Sequence, residues 1–326
     1  MVTLEVKGLR TSFFTSSGVL PALVDVDLSV DAGETLAVVG ESGSGKSLTA
    51  LSIMRLIADP PGRIVGGQVL LEGIDLLALP EKEMRAVRGN RMSMIFQEPM
   101  TCLNPVITIG DQIAEALLMH RPISRRAARA RALEMLDRVR IPDPHRRLDD
   151  YPHQLSGGMR QRVMIAMAIA LEPRVLIADE PTTALDVSIQ SQILELLRTL
   201  QKEERMAMIF ITHDLGVVAE IADRVMVMYS GRTVEQAPVE TIFDDPRHPY
   251  TQGLLGSIPD PLRRRQRLSE IPGTVPLLDG RPSGCSFGPR CSLASDLCRV
   301  QVPPLITIRG VHVVACVHSN HRADLL

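Results

Sequence analysis

The sequence predicts an α/β chain with a mostly parallel central sheet, and three observations carry that prediction. Apolar runs of strand length recur along the chain: Thr35 to Val39, Met92 to Phe96, Val175 to Asp179, Met208 to Thr212 and Val225 to Tyr229. Segments of helical spacing separate them, the alternation expected when helices cover the faces of a parallel sheet. The first run ends at a glycine-rich loop, and helix formers from Ser47 to Ile57 follow it.

Composition narrows the class. The 326 residues are 45% hydrophobic and 23% charged, a globular balance with room for about two domains. Lys plus Arg number 36 against 38 Asp plus Glu, for a net charge of -2, which argues against nucleic acid as a partner. Mean hydropathy is slightly positive at +0.10. The longest apolar run, Val163 to Leu171, falls well short of the ~20 residues of a membrane span. Glu5, Lys7 and Arg10 interrupt any secretory-signal pattern at the start. A cytoplasmic chain is expected, with apolar surface to spare for a partner.

Read in order, the elements fall into three textures. Leu4, Val6 and Leu9 alternate with polar residues, and Leu28 and Val30 repeat the period of two, so the opening is β-rich. Between Asn104 and Pro152 no strand pattern occurs; Ile109 to Met119 and Arg125 to Val139 read as amphipathic helices, the second a solvated, arginine-rich face. After Pro238 proline and glycine become frequent and periodicity fades. The expected division is a domain over 1–240, with a helical subdomain at about 104–155, and a C-terminal domain over 241–326.

The chemistry is concentrated at strand ends. Gly40-Glu41-Ser42-Gly43-Ser44-Gly45-Lys46-Ser47 fits the phosphate-loop pattern G-x-x-x-x-G-K-S. Glycines such as Gly40, Gly43 and Gly45 let the backbone N–H groups turn inward around a phosphate, and the following helix aims its positive end at the same anion. Lys46 suits the β- and γ-phosphates, and the Ser47 hydroxyl suits Mg²⁺. Asp179 and Glu180 close the run VLIAD-E: Asp179 is the candidate metal-holding acid, and Glu180 the candidate general base on the attacking water. Gln97, after Met92 to Phe96, suits Mg²⁺ and water, and His213, after Met208 to Thr212, suits the γ-phosphate or Glu180.

Leu155-Ser156-Gly157-Gly158-Met159 resembles the signature motif of ATP-binding cassette (ABC) proteins. GESGSGKS, Gln97, LSGGM, LIADE, Ala184-Leu185-Asp186 and His213 stand in that family's order over roughly residues 1–240. The resemblance implies a RecA-like P-loop core, an antiparallel β-subdomain and a helical subdomain carrying the signature. ATP and Mg²⁺ are the implied ligands, with Ser42, Ser44 and Leu48 part of the nucleotide loop and its helix. It also implies that Gln97 opens a loop touching the membrane partner, and that the signature caps ATP in the opposite subunit. Asp186 would belong to a loop crossing the dimer interface. Phe13 is the implied aromatic on adenine, with Phe14 its rival.

A narrower resemblance is to the D-type ATP-binding subunit of dipeptide/oligopeptide/nickel importers. It rests on Met159-Arg160-Gln161-Arg162, Glu98-Pro99-Met100-Thr101-Cys102-Leu103-Asn104-Pro105, Tyr151-Pro152-His153-Gln154, and His248-Pro249-Tyr250-Thr251 followed by Ile271-Pro272-Gly273. It implies an ATPase powering import of di- or oligopeptides, or alternatively of nickel or another solute, from the cytoplasmic face of the inner membrane. The irregular tail would be the C-terminal domain of that importer type. The implied partners are an F-type ATP-binding subunit (a homodimer being the alternative), two transmembrane permease subunits and an extracytoplasmic substrate-binding protein. A soluble, non-transport ABC ATPase is the rival; such proteins carry coiled-coil insertions or paired cassettes, which this sequence lacks.

Cys285, Cys291, Cys298 and Cys316 crowd the tail. Four thiolates satisfy either tetrahedral zinc or an iron–sulfur cluster, and unligated or disulfide-linked thiols are the other reading. The resemblance favours a [4Fe-4S] cluster. His312 and His318 are spare ligand candidates that read rather as surface residues, and Cys102 reads as an inert small side chain.

Overall fold

Alternation of apolar and polar side chains from Val2 to Thr15 and from Gly18 to Asp31 produces two long strands, each burying one side. A computed structural model of the chain describes residues 2–98, 102–183, 185–258 and 270–319. Pro99 to Thr101 of the segment after Gln97, and Ala184 beside Asp186, lie outside the described residues. The chain divides into two compact units, Met1–Leu4 with Val30–Glu34 and Leu71–Phe210, and Glu5–Ser29 with Thr35–Leu70 and Ile211–Leu326.

In the first unit, strands Met92–Ile95 and Val175–Asp179 run parallel, pairing Met92 with Val175 through Ile95 with Ala178. Every residue of both is buried, as expected of strands covered on both faces. Strand Ala207–Ile211, equally buried, is next to Val175–Asp179. The expected helical stretch holds helices Ile109–His120 and Arg125–Arg138, with no strand between them. They pack on each other and on the helix Gly157–Ile169. Thr108, Ser124 and Ser156 cap these three helices, each accepting the backbone N–H three residues on. The arginine-rich face is neutralised within the unit: Arg129 pairs with Asp111 and Asp149, Arg131 with Glu134 and Glu172, and Arg138 with Glu203 and Glu204.

In the second unit, Thr35–Val39 runs parallel to Arg224–Tyr229, with Leu36 opposite Arg224 and Val39 opposite Val227. Arg232–Pro238 returns antiparallel beside Arg224–Tyr229. The C-terminal region then adds a hairpin the sequence reading did not expect: His312–Val314 pairs antiparallel with Arg232–Pro238, and Ile306–Arg309 with His312–Val314. In a separate sheet, Val2–Thr15 lies between Gly18–Asp31 and Gly62–Leu71. The tail has little core of its own. Tyr250 and Phe287 join Val39, Val225, Val227, Tyr229 and Ile242 in one buried cluster, and Tyr229, Tyr250 and Phe287 meet edge-on or tilted, with ring centroids 4.7–5.4 Å apart.

Candidate functional site

The phosphate loop leaves strand Thr35–Val39 and delivers the chain into helix Lys46–Ile53, shorter than the expected Ser47 to Ile57 because Arg55 turns left-handed at φ 52°. Gly40 has φ 150°, and a Cβ there would collide with the Met228 carbonyl, so the turn requires glycine. Ser42 and Gly43 form the exposed tip, while Ser44 is fully buried and its carbonyl accepts the Gly231 N–H at 2.8 Å. Lys46 is almost wholly buried and bends back along the loop, donating to the carbonyls of Gly40 (2.7 Å) and Glu41 (3.0 Å). Ser47 and Leu48, both half-buried, follow on the first turn of the helix. Phe13 and Phe14 occupy opposite faces of strand Val2–Thr15. Phe13 is half-buried, whereas Phe14 is 42% exposed with the Arg63 guanidinium 5.1 Å from its ring centroid. His213 stands exposed just beyond Thr212, and Asp214 caps the following helix Leu215–Ile221 by accepting from Gly216 and Val217.

In the first unit two strand ends meet. Asp179 is the last residue of Val175–Asp179 and is buried. Glu180 follows in a left-handed conformation, φ 48°, sparsely populated for a residue with a side chain and typical of sites where function fixes the backbone. Its Oε2 accepts from Gln97 Nε2 at 3.0 Å and from Thr183 Oγ1 at 2.8 Å. Thr183 is a contributor that sequence reasoning missed; its position three residues after Glu180 was the available signal. Leu155 is buried below the signature, Ser156 caps helix Gly157–Ile169, and Gly157 is exposed at its first turn. A Cβ on Gly158 would stand 2.7 Å from Ile189 Cγ2, so this glycine lets its helix approach helix Val187–Glu204, which exposed Asp186 precedes as N-cap. Met159 donates its N–H to the Ser156 hydroxyl at 3.3 Å.

The four tail cysteines belong to the second unit and carry no disulfide. Cys285 N–H donates to the Cys298 carbonyl at 2.8 Å, and Cys298 Sγ lies 3.7 Å from His318 Nε2. Burial pushes the Cys285 and Cys291 thiols up, and pushes Cys316 up to about 11, with the neighbouring cysteines adding to each shift. Among the described residues no group of three or more His, Cys, Asp or Glu side chains stands as a metal site. The expected four-thiolate ligand set does not converge among the described residues. Nor are the two histidines plain surface residues. His318 is half-buried beside Cys298, and His312 is buried with its Nε2 2.8 Å from Glu235 Oε1.

A glycine-rich loop leading into a helix start in one unit, and carboxylates at the end of a buried parallel strand in the other, are the features of a phosphate-loop nucleotide-binding protein. Comparison with known proteins specifies the kind. Residues 23–183 match the family model described as ABC transporter, and residues 234–298 match the one described as oligopeptide/dipeptide transporter, C-terminal region. A Brucella melitensis protein described as a putative peptide import ATP-binding protein is 56% identical over 325 residues, covering 96% of each chain. A Sinorhizobium fredii protein described as a probable peptide ABC transporter ATP-binding protein is 55% identical, covering 99% of this chain and 96% of its own. Among solved structures, the ATP-binding cassette MJ0796, a dimer in a post-hydrolysis state bound to ADP and Pi, aligns with a TM-score of 0.65 at 28% identity. That alignment covers 72% of this chain and 98% of the cassette. The chain belongs to the ABC transporter family, as an ATP-binding subunit with the C-terminal region of the oligopeptide/dipeptide type.

Proposed function

We propose that this chain hydrolyses ATP to power import of di- or oligopeptides, seated peripherally on the cytoplasmic face of the inner membrane. The observation that carries the reading is the carboxylate of Glu180, oriented by Gln97 and Thr183 at the end of a buried strand. Its support from relatives is their description as peptide import ATP-binding proteins. Among the described residues no helix is long and apolar enough to cross a membrane; in this reading two transmembrane permease subunits supply the pathway. We assign 1–240 to the cassette and 241–326 to the importer-type C-terminal domain.

In this reading backbone N–H groups of the phosphate loop hold the phosphates, and Lys46 exchanges the Gly40 and Glu41 carbonyls for β- and γ-phosphate oxygens. Ser47 on the phosphate loop, and Gln97 and Asp179 at the strand ends of the other unit, each offer an oxygen of the kind Mg²⁺ takes, and the ion would neutralise phosphate charge. Glu180 takes the proton of the attacking water, and His213 contacts the γ-phosphate. Phe13 stacks on adenine, since the face of Phe14 already carries Arg63. Leu155, Ser156, Gly157, Gly158 and Met159 cap the nucleotide of a second cassette, an F-type subunit, and Asp186 lies at that dimer interface. A substrate-binding protein outside the membrane selects the cargo. A [4Fe-4S] cluster on Cys285, Cys291, Cys298 and Cys316, with zinc as the alternative, rests on the donor chemistry of four thiols and on the subfamily resemblance. Iron and sulfide analysis of anaerobically purified protein tests it, and background values for both would remove it.

The functional test is uptake of labelled di- and oligopeptides by cells lacking this chain. Uptake should be lost and restored by the wild-type chain but not by Lys46→Ala; undiminished uptake in the deleted strain would overturn the peptide assignment.

A further inference from the structure

The phosphate loop carries a negative charge of its own at Glu41, in a place meant for a polyphosphate. Within the second unit that charge is met by Arg290 of the C-terminal region, whose Nη1 and Nη2 reach Glu41 Oε2 and Oε1 at 2.6 and 3.0 Å. The guanidinium is 6% exposed. It is held from behind by the Pro272 carbonyl (2.7 Å) and the Ile271 carbonyl (3.3 Å), with Tyr229 Oη at 3.4 Å. Its charge lies within 6 Å of the Tyr229 and Phe287 ring centroids. The pairing raises the Arg290 pKa further above its ordinary value, so the cation is permanent.

The same loop is fastened at two more points. Glu41 N–H donates to the phenol oxygen of buried Tyr250 at 2.8 Å. Arg281 donates through Nε to Ser230 Oγ at 3.1 Å, and the adjoining Gly231 N–H holds the Ser44 carbonyl. Side chains from beyond residue 240 thus hold Glu41 directly and reach the Ser44 end through Ser230 and its neighbour Gly231. Two consequences follow. The bidentate pair cancels a carboxylate that would otherwise repel ATP in a partly buried setting. It also fixes the Glu41 peptide, whose carbonyl is one of the two oxygens that hold Lys46.

We propose that Arg290 is a positioning residue of the nucleotide site: it neutralises Glu41 and holds the phosphate loop in its ATP-accepting form, making ATP affinity depend on the folded C-terminal region. This rests on the functional reading above. Arg290 lies in the turn Gly288–Arg290, flanked by Cys285 and Cys291, so the fold around the cysteines sets where the guanidinium stands.

The test is calorimetric titration of full-length wild-type, Glu41→Gln, Arg290→Ala, Arg290→Lys and the Glu41→Gln/Arg290→Ala double variant with MgATP, with circular dichroism to confirm folding. Arg290→Ala should weaken binding about tenfold, in the usual range for coupled sites, and Arg290→Lys by less because one ammonium cannot span both oxygens. Removing the Glu41 charge as well should recover most of the loss, a rescue that a purely structural role for Arg290 would not give. Unchanged affinity in a folded Arg290→Ala, or a double variant no better than Arg290→Ala, would overturn the proposal. If Arg290→Ala does not fold, Arg290→Lys decides: wild-type affinity there overturns it. A wild-type chain that does not bind MgATP would overturn the functional reading, and the positioning role with it.

Discussion

Gln97 and Glu180 lie 83 positions apart and meet through one hydrogen bond, Nε2 to Oε2 at 3.0 Å. The Thr183 hydroxyl donates to the same oxygen at 2.8 Å. A carboxylate acting on water must be ionised and aimed, and two neutral donors on one oxygen do the aiming without neutralising the charge.

Gln97→Ala should therefore slow ATP turnover about tenfold or more, the usual cost of losing an orienting partner. ATP affinity should change much less, since the loop residues that hold phosphate are untouched. Steady-state hydrolysis against ATP concentration separates the two effects.

Gly158→Ala tests the packing beneath the signature. A new Cβ 2.7 Å from Ile189 Cγ2 forces the two helices apart or Ile189 off its rotamer, at a cost of about 1–3 kcal/mol. The melting temperature should fall, and Ile189→Ala in the same chain should return part of it.

Much of this was legible in the sequence because the decisive signals are local. Gly40 to Ser47 specify a loop by themselves, and strands such as Val175–Asp179 announce themselves as unbroken apolar runs between polar flanks. Gln97, Asp179 and Glu180 could be placed at strand ends from those runs alone. What escaped depends on contacts between distant residues. Arg290 and Glu41 are 249 positions apart, and nothing in the weak periodicity of the tail indicates which arginine turns inward. The hairpin of Ile306–Arg309 and His312–Val314 is short and largely exposed on its outer strand, so its alternation is faint. His312 read as a surface residue for the same reason: its partner Glu235 lies on a strand whose pairing with the tail was not foreseen.

Acid should loosen the C-terminal region. Burial lowers the His248 pKa to about 4, against the opposing pull of Glu235. Its Nδ1 accepts the Tyr250 N–H at 3.1 Å, capping helix Pro249–Gly256 in the neutral form. A depressed folded pKa means the contribution is complete above pH 6.5 and is lost as pH falls from 6.5 towards 4, up to about 3 kcal/mol. Denaturant midpoints across that window should fall steeply for the wild type and less so for His248→Gln.

Alkali should act on the thiols in the opposite sense. Cys316 is pushed up to about 11 by burial, so its contribution is complete below the ordinary thiol range near pH 9 and is lost as pH rises to 11. At pH 8 the metal-free folded chain should react with iodoacetamide at Cys316 more slowly than the urea-unfolded chain, read by mass spectrometry.

The central claim is that Glu180 drives ATP hydrolysis in a paired cassette. The most direct measurement is ATP turnover by Glu180→Gln beside the wild type, each purified with its partner subunit and permeases. The account predicts hydrolysis reduced by about 100-fold or more, with ATP-bound cassette dimers accumulating. Turnover by Glu180→Gln at the wild-type rate would contradict it.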